Sequence, residues 1–441
     1  MSDGSLQDVV RFHGITNSYQ SFYQAYWQQA SKTFKANIEC IASTFPDILQ
    51  NTEADVSLQQ LQQSSEATLQ LIYTRPEMYR WMNQLDRLVT LRPLSSEELQ
   101  AHLSALARFT TSALILDCRA GSSLLPFDEN GCCSLPGCGI ILRRGRENAN
   151  RIQRCNVTAD GLSMAGADGG NLLFCPFGQR DADSALPAWF HRAVCIRGIT
   201  VSNGDPLLLE TDGGNYTYEP MDTVHQARWQ DILESSLAFL EEVLAKGYEE
   251  IIATIRVIVP VVPPRQGSHT SGTNAALPGA IYLSYSAERF MMAESLIHEY
   301  GHTKLNILLK TDPLVTNALH GPYVYSPWKP VPRPLLGILH GIFAFQGVCQ
   351  LWQAALEQSL PESSRTFVSR RFYQFFRQVQ IASLELQKAA TFTSEGESFM
   401  THIESIVADV STSIARIPRE IREPVDQQLA RHEQQYRLTG K

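Results

Sequence analysis

The segment Ser295-Leu296-Ile297-His298-Glu299-Tyr300-Gly301-His302 sets two histidines and a glutamate inside an otherwise apolar stretch. Phe290, Met291, Leu296, Ile297, Leu305 and Leu308 surround it at helical spacing, which predicts a mostly buried helix. Residues four apart lie on one face of a helix, so His298 and His302 stand one turn above the other. Burying two imidazoles and a carboxylate is costly unless they are coordinated or paired. The chain must therefore fold so that a metal ion or hydrogen-bonding partners meet this helix. Two imidazoles so placed can share one ion, with Glu299 close enough to touch a bound water or substrate. The competing explanation is two core histidines bonded to backbone.

The rest of the chain allows a large fold around such a helix. Its 441 residues suffice for two or three domains, and 44% hydrophobic with 19% charged residues is ordinary globular composition. The formal charge of −8 and scattered Lys and Arg offer no basic stripe, so nucleic acid is not an expected partner. Residues 1–10 are polar and acidic and lack the pattern of a secretory signal. The apolar stretches 251–262 and 335–349 fall short of the roughly 20 residues a membrane span needs. A cytoplasmic protein without a membrane partner is the expectation. Nine cysteines, an odd number, argue against a disulfide framework. Cys132, Cys133 and Cys138 cluster in a Gly/Pro-containing loop but lack a nearby fourth ligand for zinc, so they read as buried or loop thiols.

The patterning predicts an α+β fold, predominantly helical with a central mixed β region and the metal site on the His-Glu-x-x-His helix. Three regions follow: helical 1–112, β-rich 113–225, and a metal-binding catalytic region 226–441 with a helical C-terminus. Helical spacing marks residues 19–34, 58–73, 99–116 and 227–244, with Ser95-Ser96-Glu97-Glu98 a helix start and Gly247 a helix end. Residues 139–142, 193–201, 251–262 and 279–284 read as strands, Asp212-Gly213-Gly214-Asn215 as a turn, and 265–276 as a loop.

The third ligand decides the chemistry. A zinc peptidase commonly supplies a downstream glutamate, yet between Thr303 and Leu356 the only acid is Asp312. The other peptidase extension, with Gly and His at fixed offsets, finds Leu305 and Leu308 instead. Two histidines remain. His340 lies in the apolar helix Leu335-Leu336-Gly337-Ile338-Leu339-His340-Gly341, where Gly337 and Gly341 would let another helix approach closely. It is the favoured ligand, with His320, in a Gly-Pro loop, in reserve. An all-imidazole set suits zinc, iron, copper or nickel. Between the ligand segments, four prolines in the eight residues 327–334 hold a loop extended, with Arg333 between Pro332 and Pro334. A guanidinium pinned near a metal is suited to capturing a carboxylate, and a solvated loop arginine fits the spacing equally well. Trp328 and Tyr325 either wall a pocket or simply pack.

Taken in order, Ser-His-Thr-Ser with Leu-Pro-Gly-Ala-Ile-Tyr-Leu-Ser in 268–284, the His-Glu-x-x-His helix, and Ser-Pro-Trp-Lys followed by Arg-Pro-Leu-Leu-Gly-Ile-Leu-His-Gly resemble a known family. It is that of the HExxH-type, 2-oxoglutarate-dependent peptide β-hydroxylases of ribosomal peptide natural-product pathways. The resemblance spans about residues 251–356. It implies Fe(II) held by His298, His302 and His340, 2-oxoglutarate and O2 as co-substrates with Arg333 on a carboxylate, and a precursor peptide hydroxylated at a side-chain β-carbon. Glu299 would then orient a ligand or water instead of serving as a hydrolytic base. The sequence departs from the family at Lys329, where an arginine is expected, and through its N-terminal half. The alternative is a zinc-dependent hydrolase, a peptidase, with Glu299 as general base and His340 or Asp312 as an unusual third ligand. A non-catalytic protein with a closed structural site, His320 joining, is the third possibility.

Overall fold

Among the residues described by the computed structural model (17–90, 95–143, 151–165, 172–176, 189–209, 216–219, 221–265 and 267–439), helices come first. They are α1 (Asn17–Thr44), α2 (Pro46–Asn51), α3 (Ala54–Gln62), α4 (Glu66–Tyr73), α5 (Pro76–Thr90), α6 (Ser96–Ser104) and α7 (Leu106–Leu116). The single helix expected over 58–73 is two, because Ser65 caps α4 by accepting from the Thr68 N–H. Asp117 clamps that break, accepting from the Ser65 N–H at 3.0 Å and from the Thr68 hydroxyl at 2.6 Å. Ser95 caps α6 as its sequence indicates, accepting from Glu98 N–H. The expected turn at 212–215 lies outside the described residues.

This unit has its own core around Trp81, Phe34 and Phe109. His102 stacks on Trp81 with ring planes 5° apart. Its Nε2–H donates to the Trp81 carbonyl, and the Trp81 indole N–H donates to the His102 carbonyl, both at 2.9 Å.

Short strands follow. A four-stranded antiparallel sheet runs β1 (Gly121–Pro126), β4 (Ile152–Val157), β5 (Gly161–Ala165) and β6 (Leu172–Pro176). A three-stranded sheet joins β2 (Cys132–Leu135), β3 (Ile140–Arg143) and β7 (Phe190–Arg192). Cys132 and Cys133 are neighbours on β2 and so point to opposite faces. The strand expected over 193–201 is a hairpin, β8 (Val194–Ile196) and β9 (Ile199–Val201), turned by Arg197 and Gly198 at φ 49° and 86°.

The sheet that carries the site is mixed, in the order β12-β13-β11-β9-β8 with β10 (Thr217–Tyr218) beside β11. Its central strand β11 (Val257–Val262) runs parallel to β9 and to β13 (Ala280–Ser284), while β12 (Ser271–Thr273) lies antiparallel on the edge. Strands from before residue 225 thus share a sheet with strands from after it, across the expected boundary between the second and third regions. Two boundaries differ from expectation. Residues 251–254 finish a helix, α10 (Ala245–Thr254), so the strand begins only at Val257, and Gly247 sits in that helix instead of ending α9 (Thr223–Val243). The 265–276 segment holds β12, a three-residue strand that pairing with β13 creates without any alternation of its own.

One face of the sheet, with Ile258, Ile281 and Leu283, packs on α11 (Arg289–Leu308) and α12 (Leu335–Leu356). The other carries Val257, Val259, Val261 and Tyr282 against α8 (Pro206–Leu209). α13 (Glu362–Ala389), α14 (Ser394–Ile414) and α15 (Arg419–Thr439) close the far side. Among the described residues α12 is the one helix long and apolar enough to cross a membrane, and 67% of its most apolar window is buried within the fold. The predominantly helical α+β architecture agrees with the sequence.

α11 is buried nearly throughout and carries charges that need partners. Lys304, 0% exposed, donates to Glu250 of α10 at 2.8 Å, and the Tyr300 hydroxyl donates to the same carboxylate oxygen at 2.6 Å. Glu294 accepts from the Trp352 indole at 3.0 Å and from Arg371 Nε at 2.9 Å. Lys304→Met alone leaves a buried carboxylate without its counter-charge and is expected to cost about 3–5 kcal/mol, with the double change Lys304→Met/Glu250→Gln recovering most of it. Urea unfolding of the unaltered protein and the two variants measures this. A second expectation concerns pH. Burial lowers His102 to about 4, so the unfolded chain takes that proton near 6.5 and the folded one only near 4. The stabilisation is present above 6.5 and is lost as pH falls from there toward 4. His102→Phe should flatten that part of the stability–pH curve.

Candidate metal centre

α11 and α12 cross in direct contact. A Cβ on Gly301 would lie 2.9 Å from Ala344 Cα, so the glycine inside the pentapeptide lets the two backbones meet. That crossing brings the third histidine to the first two. His298 Nε2 is 3.1 Å from His302 Nε2, and His302 Nδ1 is 3.2 Å from His340 Nδ1. Imidazoles sharing one ion at metal–nitrogen distances near 2.0–2.1 Å place their nitrogens about 3.0–3.4 Å apart, so the pairwise spacing fits. His302 nevertheless turns a different nitrogen toward each neighbour. The three rings form a chain, and among the described residues no three His, Cys, Asp or Glu side chains converge on a single point.

The environment keeps the imidazoles neutral, the form that binds metal. Burial lowers His298 to about 3, helped by the positive charges of Lys329 and Arg371. Burial likewise lowers His340 to about 4 and His302 well below its usual value. The His298 side chain keeps 18% exposure, so a ligand can still reach it. Its Nδ1 is buried with no hydrogen-bond partner. Phe345 covers the ring at 4.3 Å between centroids, and Trp328 stacks on Phe345 at 5.1 Å.

Glu299 is 2% exposed, and burial raises it to about 7 against the pull of its one hydrogen bond. The Ser271 hydroxyl of β12 donates that bond to Oε1 at 2.5 Å. The other oxygen, Oε2, is buried without a partner, and His298 Nε2 lies 3.8 Å from Oε1. The carboxyl group is thus beside the imidazoles with an unused oxygen.

Behind β12, His269 Nε2 meets the Ser295 hydroxyl at 2.7 Å and its Nδ1 the Ser284 hydroxyl at 3.1 Å. This ties the edge strand to both β13 and α11.

The other sequence candidates fall outside the cluster. Asp312 accepts from Leu314 N–H and from the Thr393 hydroxyl, capping the turn after α11. His320 is exposed on a turn. Arg333 is exposed and bridges through its backbone to Val324. Its side chain lies over Gly337, and the Trp328 indole fills the space over Gly341. The two α12 glycines therefore admit side chains of the proline loop, not the second helix expected, because the loop folds back over the start of α12. Trp328 packs there against Phe345, and Tyr325 bonds to His432 on α15 at 2.9 Å.

Lys329 and Arg371 are the cations whose charges act on His298, and no spacing rule picks them out. Arg371 arrives from α13, far along the chain, and Lys329 was visible only as a departure from the family pattern. Ser271 lay in the polar stretch read as a loop.

Titration calorimetry with a divalent ion should give one site per chain. His298→Ala and His302→Ala are each expected to weaken it at least a hundredfold and His340→Ala at least tenfold, while Arg333→Ala changes it less than twofold. An unaffected His340→Ala variant would confine the site to α11. In comparisons with known proteins, no family model and no curated protein matches this chain.

Proposed function

We propose that the chain is an Fe(II)- and 2-oxoglutarate-dependent dioxygenase that hydroxylates a side-chain β-carbon in a ribosomally made precursor peptide. The observation that carries this is the approach of three half-buried, neutral imidazoles, His298, His302 and His340, at 3.1 and 3.2 Å, with the Glu299 carboxyl beside them. Such a set suits Fe(II) and leaves positions for a keto acid and O2. With Fe(II) bound, O2 and 2-oxoglutarate supply the oxidation: one oxygen atom enters the C–H bond, the other enters succinate, and CO2 leaves.

The chain's residues supply the surroundings. His298 and His302 present nitrogens from successive helical turns, and α12 adds His340. Phe345 and Trp328 wall the site with apolar surface, which keeps water from the oxidising chemistry. Glu299, held by Ser271, orients a ligand or water through its unused oxygen. A cation anchors the far carboxylate of 2-oxoglutarate. The family resemblance assigns that to Arg333, and the charge of Lys329 on His298 makes Lys329 the second candidate. Cytoplasmic location is part of the same reading.

One observation favours a second function. A carboxyl raised to about 7 matches a general base working at neutral pH, as in a zinc-dependent hydrolase with Glu299 activating a water.

Anaerobic addition of Fe(II) and 2-oxoglutarate should give a weak metal-to-ligand charge-transfer band that chelation removes. Arg333→Ala and Lys329→Ala identify the anchor by which one weakens the band. Succinate release should follow admission of O2. Absence of the band together with tightly held zinc favours the hydrolase, in which Glu299→Gln abolishes peptide cleavage without loss of metal.

A further inference from the structure

On the β12 edge of the site sheet, between α5 and the end of α11, lies a cavity of about 610 Å³. Ligand clefts generally span about 300–1,000 Å³, so this one is of ligand size. Three cations line it: Arg80 and Arg87 from α5, and Lys310 just beyond α11. Asp86 is the one acid in the lining, and its carboxylate already accepts from the Asn37 amide at 3.0 Å. Arg87 and Lys310 are exposed, and no ion pair involves either among the described residues. The chain carries a formal charge of −8, so its surface as a whole repels anions while this cavity attracts them.

The cavity is joined to Glu299. Thr273 lines it, and Ser271, two residues earlier on β12, donates to the Glu299 carboxyl. Two strand residues span about 7 Å. Tyr216, stacked on Tyr282 at 4.8 Å, also lines the cavity, and the charge of Glu299 reaches its hydroxyl. The flat tyrosine pair gives a rigid surface for peptide contact.

We infer that this cavity binds an acidic segment of the peptide substrate, Arg87 and Lys310 capturing Asp or Glu side chains while the neighbouring residues extend along β12 toward Glu299. The inference rests on the peptide-modifying function proposed above, and the site it names is separate from the imidazole cluster.

The test is fluorescence anisotropy with the full, metal-free chain and a labelled dodecapeptide rich in Asp and Glu, beside its Asn/Gln counterpart. The acidic peptide should bind at least tenfold more tightly and weaken with salt. Arg87→Glu/Lys310→Glu should reduce that binding at least tenfold with an unchanged circular dichroism spectrum and melting temperature. Equal binding of the neutral peptide overturns the inference, as does indifference to the double reversal. So does complete displacement by glutarate at matched carboxylate concentration, which would assign the cavity to small dicarboxylates, or equal affinity for a single-stranded oligonucleotide. Because neither metal nor co-substrate is present, failure here speaks only of the cavity. Failure to bind iron or release succinate speaks only of the imidazole site.

Discussion

The structure depends on burying a charged helix. α11 carries Glu294, His298, Glu299, His302 and Lys304 through an interior that would reject any of them alone. Each charged group meets a partner from a different element: Glu294 meets α12 and α13, Glu299 meets β12, and Lys304 meets α10. These three attachments point in different directions around the helix. Rotating or sliding α11 would break several at once, so they hold its azimuth and register. The imidazoles inherit a defined direction from that constraint.

The chemistry of the site follows from the same burial. Low dielectric surroundings disfavour a second proton on each ring and a bare charge on Glu299, so the cluster is neutral where an exposed one would titrate. Neutral imidazoles are metal ligands, and a carboxyl balanced near neutrality can give or take a proton. The apolar stack of Trp328, Phe345 and Phe375 reinforces this by excluding water from one side. Opposite in character, the cavity at the β12 edge keeps Arg87 and Lys310 wet. Ser271 and Thr273 share one face of β12 about two residues apart, Ser271 bonded to Glu299 and Thr273 in the cavity lining.

Much of the site was legible because its parts are local. Helical periodicity placed His298 and His302 on one face, and elimination of acids downstream left His340 on a second apolar helix. Non-local features were not legible. Gly337 and Gly341 promised a helix crossing, which occurs instead at Gly301 and Ala344, since the proline loop folds over α12 and fills both gaps. The spacing of Arg333 fitted a carboxylate anchor and a solvated loop arginine equally well, and its side chain is exposed and lies over the first turn of α12. β12 escaped notice because a three-residue strand owes its existence to its partner.

The sequence by itself determined the helical character of the chain, the shared face of His298 and His302, and the demand that their helix find polar partners. These follow from 3.6-residue periodicity and from the cost of burying unpaired polar groups, both readable along a single segment. Only the tertiary structure decided which groups answer that demand: His340 across the Gly301–Ala344 contact, Ser271 from an edge strand, Glu250 beneath Lys304, and Arg371 from α13. Partners drawn from separate elements are chosen by how those elements pack, and no local pattern encodes that choice.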